Sequence, residues 1–248
     1  MMRCRQMRPD PKRIAALNAF YEGQGAEVIL AHAVGGLFGG RVAMVSSFGA
    51  ESVVLLHLMA EAEPHTPVLF ADTQMLFAET LKYQQEVAET LGLIDIRRIA
   101  PDPAELLAED RARDLHIRDS DACCDLRKVR PLERALREFD VILSGRKRHQ
   151  ASTRAALPLF EQDADGRIKI NPLANWGREE IAAYFDQHAL PRHPLVAQGY
   201  PSIGCAPCTT PVAAGEDPRA GRWRGQDKEE CGIHFIDGRA VRGPLTAA

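Results

Sequence analysis

The sequence predicts an α/β fold built on a parallel sheet. Short β-rich runs alternate with helical stretches of about ten to fifteen residues, the pattern of βαβ units. Three of those runs end in small or polar residues, Ser46-Ser47-Phe48-Gly49, Asp72-Thr73 and Ser144-Gly145-Arg146. In open parallel sheets ligands bind outside the carboxyl ends of the strands, and all three endings suit a nucleotide.

Residues 10–24 fit a helix with Asp10 as cap, Pro11 at its first position and Ile14, Leu17 and Phe20 facing inward. Arg41 to Val45 reads as the first strand, and an apolar helix from Ser52 to Met59 follows the Ser46–Glu51 loop. Val68-Leu69-Phe70 is the second strand, residues 76–91 carry a helical period, Ile94 to Ile99 is the third strand and Val141-Ile142-Leu143 the fourth. Beyond about residue 190 the pattern gives way to Pro, Gly and charge. The division expected is a nucleotide-binding α/β domain over 1–200 and an extended C-terminal tail over 201–248.

A chain of 248 residues is long enough for one large domain, and 45% hydrophobic with 26% charged residues is ordinary for a globular protein. The net charge of −3 argues against a nucleic-acid partner, so any anion site must be a local basic cluster. No apolar run is long enough to cross a bilayer. Met1 to Lys12 carries Arg3, Arg5 and Arg8 without an apolar core behind them, unlike a secretory signal. A cytoplasmic location follows as the expectation, in which the six cysteines read as metal ligands or reactive thiols rather than disulfides. A homo-oligomer is compatible with the sequence.

Four constellations could carry chemistry. In the loop Ser46-Ser47-Phe48-Gly49-Ala50-Glu51-Ser52, hydroxyls, glycine and a helix start suit an oxyanion, although a plain capped helix explains them equally well. It lacks the Gly-Lys-Ser/Thr ending of a Walker loop. Gly145-Arg146-Lys147-Arg148-His149-Gln150, with Arg154 beyond, offers cations at a strand's end for a phosphate or sulfate. Cys123-Cys124 and Cys205-Ala206-Pro207-Cys208 supply two pairs of thiols; adjacent cysteines diverge, which favours a large iron–sulfur centre over one zinc ion. The first pair is expected in a helix capped by Ser120 or Asp121 and ending before Pro131, with Lys128 one turn beyond Cys124. In the tail, Arg219-Ala220-Gly221-Arg222-Trp223 precedes Lys228-Glu229-Glu230-Cys231-Gly232-Ile233-His234, where Cys231 reads as an exposed thiol. Cys4 has no supporting constellation.

Together these motifs resemble, in order and over about residues 41–238, the assimilatory adenylyl-sulfate (APS) reductases of the PAPS/APS reductase family. The paired cysteines and the Glu-Cys-Gly-x-His tail carry most of the specificity. The resemblance implies a fold like the adenine-nucleotide alpha hydrolases and PP-loop pyrophosphatases. It implies a [4Fe-4S] cluster on Cys123, Cys124, Cys205 and Cys208, and Cys231 as nucleophile toward the sulfur of APS. Lys128, Arg148, Arg219 and Arg222 would hold the phosphosulfate, with Ser46, Ser47, Gly49 and His234 as further substrate contacts. Thioredoxin or a related dithiol protein would supply electrons, in sulfate assimilation and cysteine biosynthesis. Gln74 stands where relatives often have glycine, Lys147 and His149 stand in a loop often written Arg-Arg-Asp, and the stretch from Trp223 to Cys231 is short. The nearest rival is the same reaction on the 3′-phosphorylated nucleotide, PAPS, which in this family goes with lacking the cysteine pairs. A PP-loop tRNA-thiolation enzyme should show Ser-Gly-Gly-x-Asp-Ser, which Ser46–Ser52 does not match, and a zinc-bound nucleotide sensor leaves Cys231 unexplained.

Overall fold

Strand formation follows the apolar runs, and register follows the alternation of side chains across each strand. The computed structural model describes residues 10–36, 41–163, 166–226, 228, 230, 235–236 and 239–240. Cys4, Cys231 and His234 lie outside the described residues. Strands β1 (Val42–Ser46), β2 (Val68–Ala71), β3 (Ile96–Ile99), β4 (Val141–Ser144), β5 (Phe160–Gln162) and β6 (Ile168–Ile170) form one sheet in the order β3-β2-β1-β4-β6-β5. All neighbouring pairs are parallel except β5 with β6. The first four strands fall within a residue or two of the runs expected, β3 beginning at Ile96 rather than Ile94, while β5 and β6, of three residues each, are too short to show in the sequence pattern.

The sheet is covered on both faces, as a parallel sheet requires. Met44, Val68, Phe70, Val141 and Leu143 point into the larger core, shared with helices α1 (Pro11–Tyr21), α2 (Ala26–Val34), α3 (Ser52–Ala62), α4 (Ala78–Leu91) and α9 (Arg178–Gln187). The alternate residues Ala43, Leu69 and Ile142 face a smaller core with Leu132, Leu136 and Phe139. Helix α3 is apolar nearly all round, with Val53, Val54, Leu55, Leu56, Leu58 and Met59 buried, so it lies sandwiched in the larger core. In α1 the Asp10 side chain accepts from the Lys12 N–H and Pro11 opens the helix, as expected. Phe20, however, is 64% exposed, and Tyr21 is buried instead against Phe160, its hydroxyl 2.7 Å from His32. The helical stripe through Ile14 and Leu17 continues to Tyr21, seven residues from Ile14, and not to Phe20.

The segment bearing the first cysteine pair also departs from expectation. Between α4 and β4 run α5 (Pro103–Glu109), α6 (Leu115–Arg118), α7 (Ser120–Cys124), a π-helical turn (Asp125–Val129) and α8 (Arg130–Leu136). Asp119, rather than Ser120 or Asp121, caps α7, accepting from the N–H groups of Asp121 and Ala122. The helical path does not end before Pro131. It widens through the π turn, where the Arg130 N–H donates to Asp125 five residues back, and Pro131 enters the first turn of α8. A proline is tolerated in such a first turn because its missing N–H is not needed there. The wide turn buries Leu126, Arg127, Lys128 and Val129 together. Among the described residues no helix is long and apolar enough to cross a membrane.

Candidate active site

The strand order switches between the parallel neighbours β1 and β4: from β1 the chain steps outward through β2 and β3 on one side, and from β4 it goes to the edge strand β5 and returns to β6 on the other. This switch point opens a crevice at the carboxyl ends of the strands, where doubly wound folds bind nucleotides. A cavity of about 590 Å³ occupies it, lined by Ser46, Ser47, Gly49, Glu51 and Ser52 after β1 and by Ser144 and Gly145 after β4. The β1 loop is held in an unusual backbone: Phe48 has φ 49°, its N–H donates to Ser46 Oγ at 3.1 Å, and its buried ring packs edge-on against Phe70. A bulky residue in the left-handed region carries strain and persists only where the surroundings enforce it. Gln74 has φ 58°, the left-handed region that favours glycine, and its N–H is secured by Asp72 Oδ1 at 2.8 Å.

The cavity is electropositive but internally braced. Lys147, almost wholly buried, pairs with Glu51 at 2.9 Å, and Arg146 pairs with Glu161. These acids come from distant segments, which is why the basic run looked acid-free in sequence. Burial acts against the Glu51 carboxylate, yet Lys147 and Gln150 hold its pKa below the ordinary range. Burial, followed by the neighbouring charge of Arg154, pulls Arg146 down to about 10, still cationic at neutral pH. Lys128, Arg219 and Arg222 also line the cavity. Arg148 does not. The chain is extended at Lys147 and then enters a 3-10 turn, so Arg148 is exposed and donates to the Leu157 carbonyl at 2.8 Å. The cations placed at the cavity by this loop are instead Arg146, Lys147 and Arg154.

Next to it lies a second, smaller cavity lined by Cys123, Cys124, Cys205 and Cys208 with Thr73, Met75, His116, Arg127 and Trp223. The second cysteine pair is fixed to the loop after β2 by a bridge between Leu76 and Cys205 and by the Ala206 N–H donating to the Met75 carbonyl at 2.7 Å, and Arg127, beyond the first pair, donates to the Thr73 carbonyl of the same loop. Thr73 Oγ1 lies 3.1 Å from Cys205 Sγ. Burial first, and then the other thiols, push Cys123 up to about 12 and Cys208 up to about 11. Among the described residues, His116 Nδ1, Arg222 Nε and Trp223 Nε1 are buried without a hydrogen-bond partner, and all three residues line this cavity. The four thiols are the residues that could hold a metal centre; no group of three or more His, Cys, Asp or Glu among the described residues is arranged around a single ion. Lys128 and Arg222 line both cavities and form the wall between them. Gly204 permits the approach of Arg222, because a Cβ there would overlap the guanidinium.

Three positions carried no usable signal in sequence. His116 sits in a short helix before α7 with no recognisable motif of its own. Arg127 forms a fully buried pair with Asp110 at 2.5 Å and donates to the Thr73 carbonyl, so it braces the thiol cavity from behind. Lys228 reaches Cys124 Sγ at 3.4 Å and Asp121 Oδ1 at 2.9 Å.

A doubly wound sheet with a braced cationic cavity at its switch point defines a nucleotide-binding protein of the PP-loop ATP pyrophosphatase-like fold. Residues 41–211 match the phosphoadenosine phosphosulfate reductase domain, and the chain belongs to that family. The family reduces sulfonucleotides in sulfate assimilation, so the chain is an oxidoreductase acting on sulfur groups. Adenosine 5′-phosphosulfate reductase of Mesorhizobium japonicum is 50% identical, over 90% of this chain and 87% of the relative. A protein of Gloeobacter violaceus named phosphoadenosine 5′-phosphosulfate reductase is 39% identical, over 86% of this chain and 90% of the relative. The crystal structure of phosphoadenylyl-sulfate reductase from Candida auris, a phosphate complex, superposes with a TM-score of 0.71 at 27% identity, covering 83% of this chain and all of that one.

The Asp110–Arg127 pair yields a test. Burial disfavours the Asp110 carboxylate, but Arg127 and the Leu115 N–H outweigh it and hold the carboxyl below its usual pKa. The unfolded state therefore binds more protons, and the pair's stabilisation is complete above about pH 5 and fades as pH falls through the lowered value. Asp110→Asn leaves a buried, uncompensated guanidinium and should cost about 3–5 kcal/mol in urea denaturation at pH 7, with a smaller deficit at pH 3. A loss below about 1 kcal/mol at pH 7 would show that the pair does not brace the fold.

Proposed function

We propose that the protein reduces APS to sulfite and AMP, with Cys231 as nucleophile and thioredoxin or a related dithiol protein as reductant. The observation that carries this is the shared wall: a nucleotide-sized cationic cavity meets a four-thiol cavity through Lys128 and Arg222. The β1 loop would receive the nucleotide, and Lys128, Lys147, Arg219 and Arg222 the phosphosulfate. A Cys231 thiolate attacking the sulfate sulfur breaks the S–O bond, releases AMP and leaves a Cys231 S-sulfonate. The lining cations offset the charge that gathers on the departing phosphate oxygen. One thiol of the dithiol then attacks the Cys231 sulfur and expels sulfite, and its second thiol resolves the mixed disulfide, freeing Cys231. PAPS is the second reading, favoured by the relative of that name in Gloeobacter violaceus.

A [4Fe-4S] cluster on Cys123, Cys124, Cys205 and Cys208 belongs to this proposal. Four thiols on one cavity provide the ligand set, and the unpartnered Arg222 Nε and Trp223 Nε1 are donors suited to sulfur acceptors. When bound, it would tie the two cysteine segments together and add a fixed local charge beside Lys128. The electrons for sulfite can all come from the dithiol.

Anaerobically purified protein should contain iron and acid-labile sulfide in equal amounts, and serine at any of the four cysteines should abolish both. A colourless, fully active zinc protein would contradict the cluster. Incubated with APS and no reductant, the enzyme should release about one AMP per site and stop, with a sulfonate on the Cys231 peptide that thioredoxin clears as sulfite. PAPS in parallel should react more slowly. A sulfonate on Cys4 instead, or turnover surviving in Cys231→Ser, would rule out the nucleophile.

A further inference from the structure

Lys228 and Glu230 stand two residues apart in the tail and carry opposite charges to different cavities. The Lys228 ammonium contacts Asp121, Cys124 and the Ser120 carbonyl at the thiol cavity, with its side chain 8% exposed. Glu230, 5% exposed at its side chain, is gripped by Arg154 through Nε and Nη2, both at 2.6 Å, and Arg219 lies 3.6 Å away. The third nitrogen of Arg154, Nη1, donates to Gln150 at 2.5 Å. Gln150 in turn donates to Glu51, the partner of Lys147. A bidentate guanidinium–carboxylate pair fixes direction as well as distance, and a buried one resists screening. With each of its three nitrogens engaged by a protein group, Arg154 is a bracket between the nucleotide loops and the tail.

We propose that Glu230 is a positioning residue: its fork on Arg154 seats the segment bearing the next residue, Cys231, against the nucleotide cavity, and Lys228 pins the same segment at the thiol cavity. This rests on Cys231 being the nucleophile. Residues 224–230, which lead into it, contain no hydrophobic side chain, so charge is the means available to hold this stretch. The register of the attacking sulfur is then set through the chain Glu51–Gln150–Arg154–Glu230.

The test uses the cluster-containing enzyme and the variants Glu230→Gln, Arg154→Gln and their double. In Glu230→Gln, single-turnover sulfonation of Cys231 by APS should slow by about tenfold or more, because misplacement of a reacting group is costly. AMP affinity and iron content should change by less than about twofold, and trypsin should cut the substrate-free protein after Arg224 and Lys228 several times faster. The double variant should be no worse than either single one. Sulfonation and tryptic rates within about twofold of wild type would overturn the seat, and so would AMP affinity falling as far as sulfonation, which would place Glu230 in nucleotide binding. If the wild type forms no adduct from APS or PAPS, the proposed reaction fails, while the tryptic rates and the double variant still decide whether Glu230 and Arg154 hold the tail.

Discussion

Cations that are to meet a multiply charged anion must be gathered out of water before it arrives, and gathered cations repel one another. Here Glu51 opposes Lys147, Glu161 opposes Arg146, and Glu230 opposes Arg154 and Arg219, so these four basic groups are held in place by protein acids. Preorganisation of this kind lets charge be stabilised on transfer without reorganising the site. The arrangement depends on the sheet. Only where the strand order reverses do the β1 loop, the β4 loop and the tail converge on one crevice.

The π turn ties the second cavity to the first. A regular helix through Asp125–Val129 would place these side chains at other angles; the wider turn buries Arg127 and Lys128 side by side, Arg127 on Asp110 and Lys128 at the wall of both cavities. Turns of this type are rare and recur at functional sites. Arg222 approaches the same wall from the tail side, stacked 4.4 Å over Trp223 and admitted by Gly204. The two cavities thereby share two cations.

Much of this was legible in sequence, and the rest was hidden for identifiable reasons. The strands β1, β2 and β4 are largely buried apolar runs, so they announce themselves, whereas β5 and β6 are three-residue pieces at one edge whose stability comes from their neighbours. The paired cysteines signalled a common site because thiols are scarce in such chains. Arg148 stood out equally with Arg146 and Lys147, yet only local backbone geometry decides which of three successive cations faces a cavity. Pro131 marked a helix end that the π turn removed. Nothing in the sequence singles out Glu230 for burial; the partner that buries it is seventy-six residues away and cannot be found by spacing.

The central claim is that the nucleotide and thiol cavities act as one site through Lys128. The most direct measurement is single-turnover formation of the Cys231 sulfonate from APS in Lys128→Ala, read together with iron content and AMP affinity. Loss of a cation that stabilises charge only during transfer should slow sulfonation by about 10²–10³-fold while iron is retained and AMP binding changes little. Sulfonation at the wild-type rate in a variant that keeps its iron would contradict the account and leave Lys128 as packing between two independent cavities.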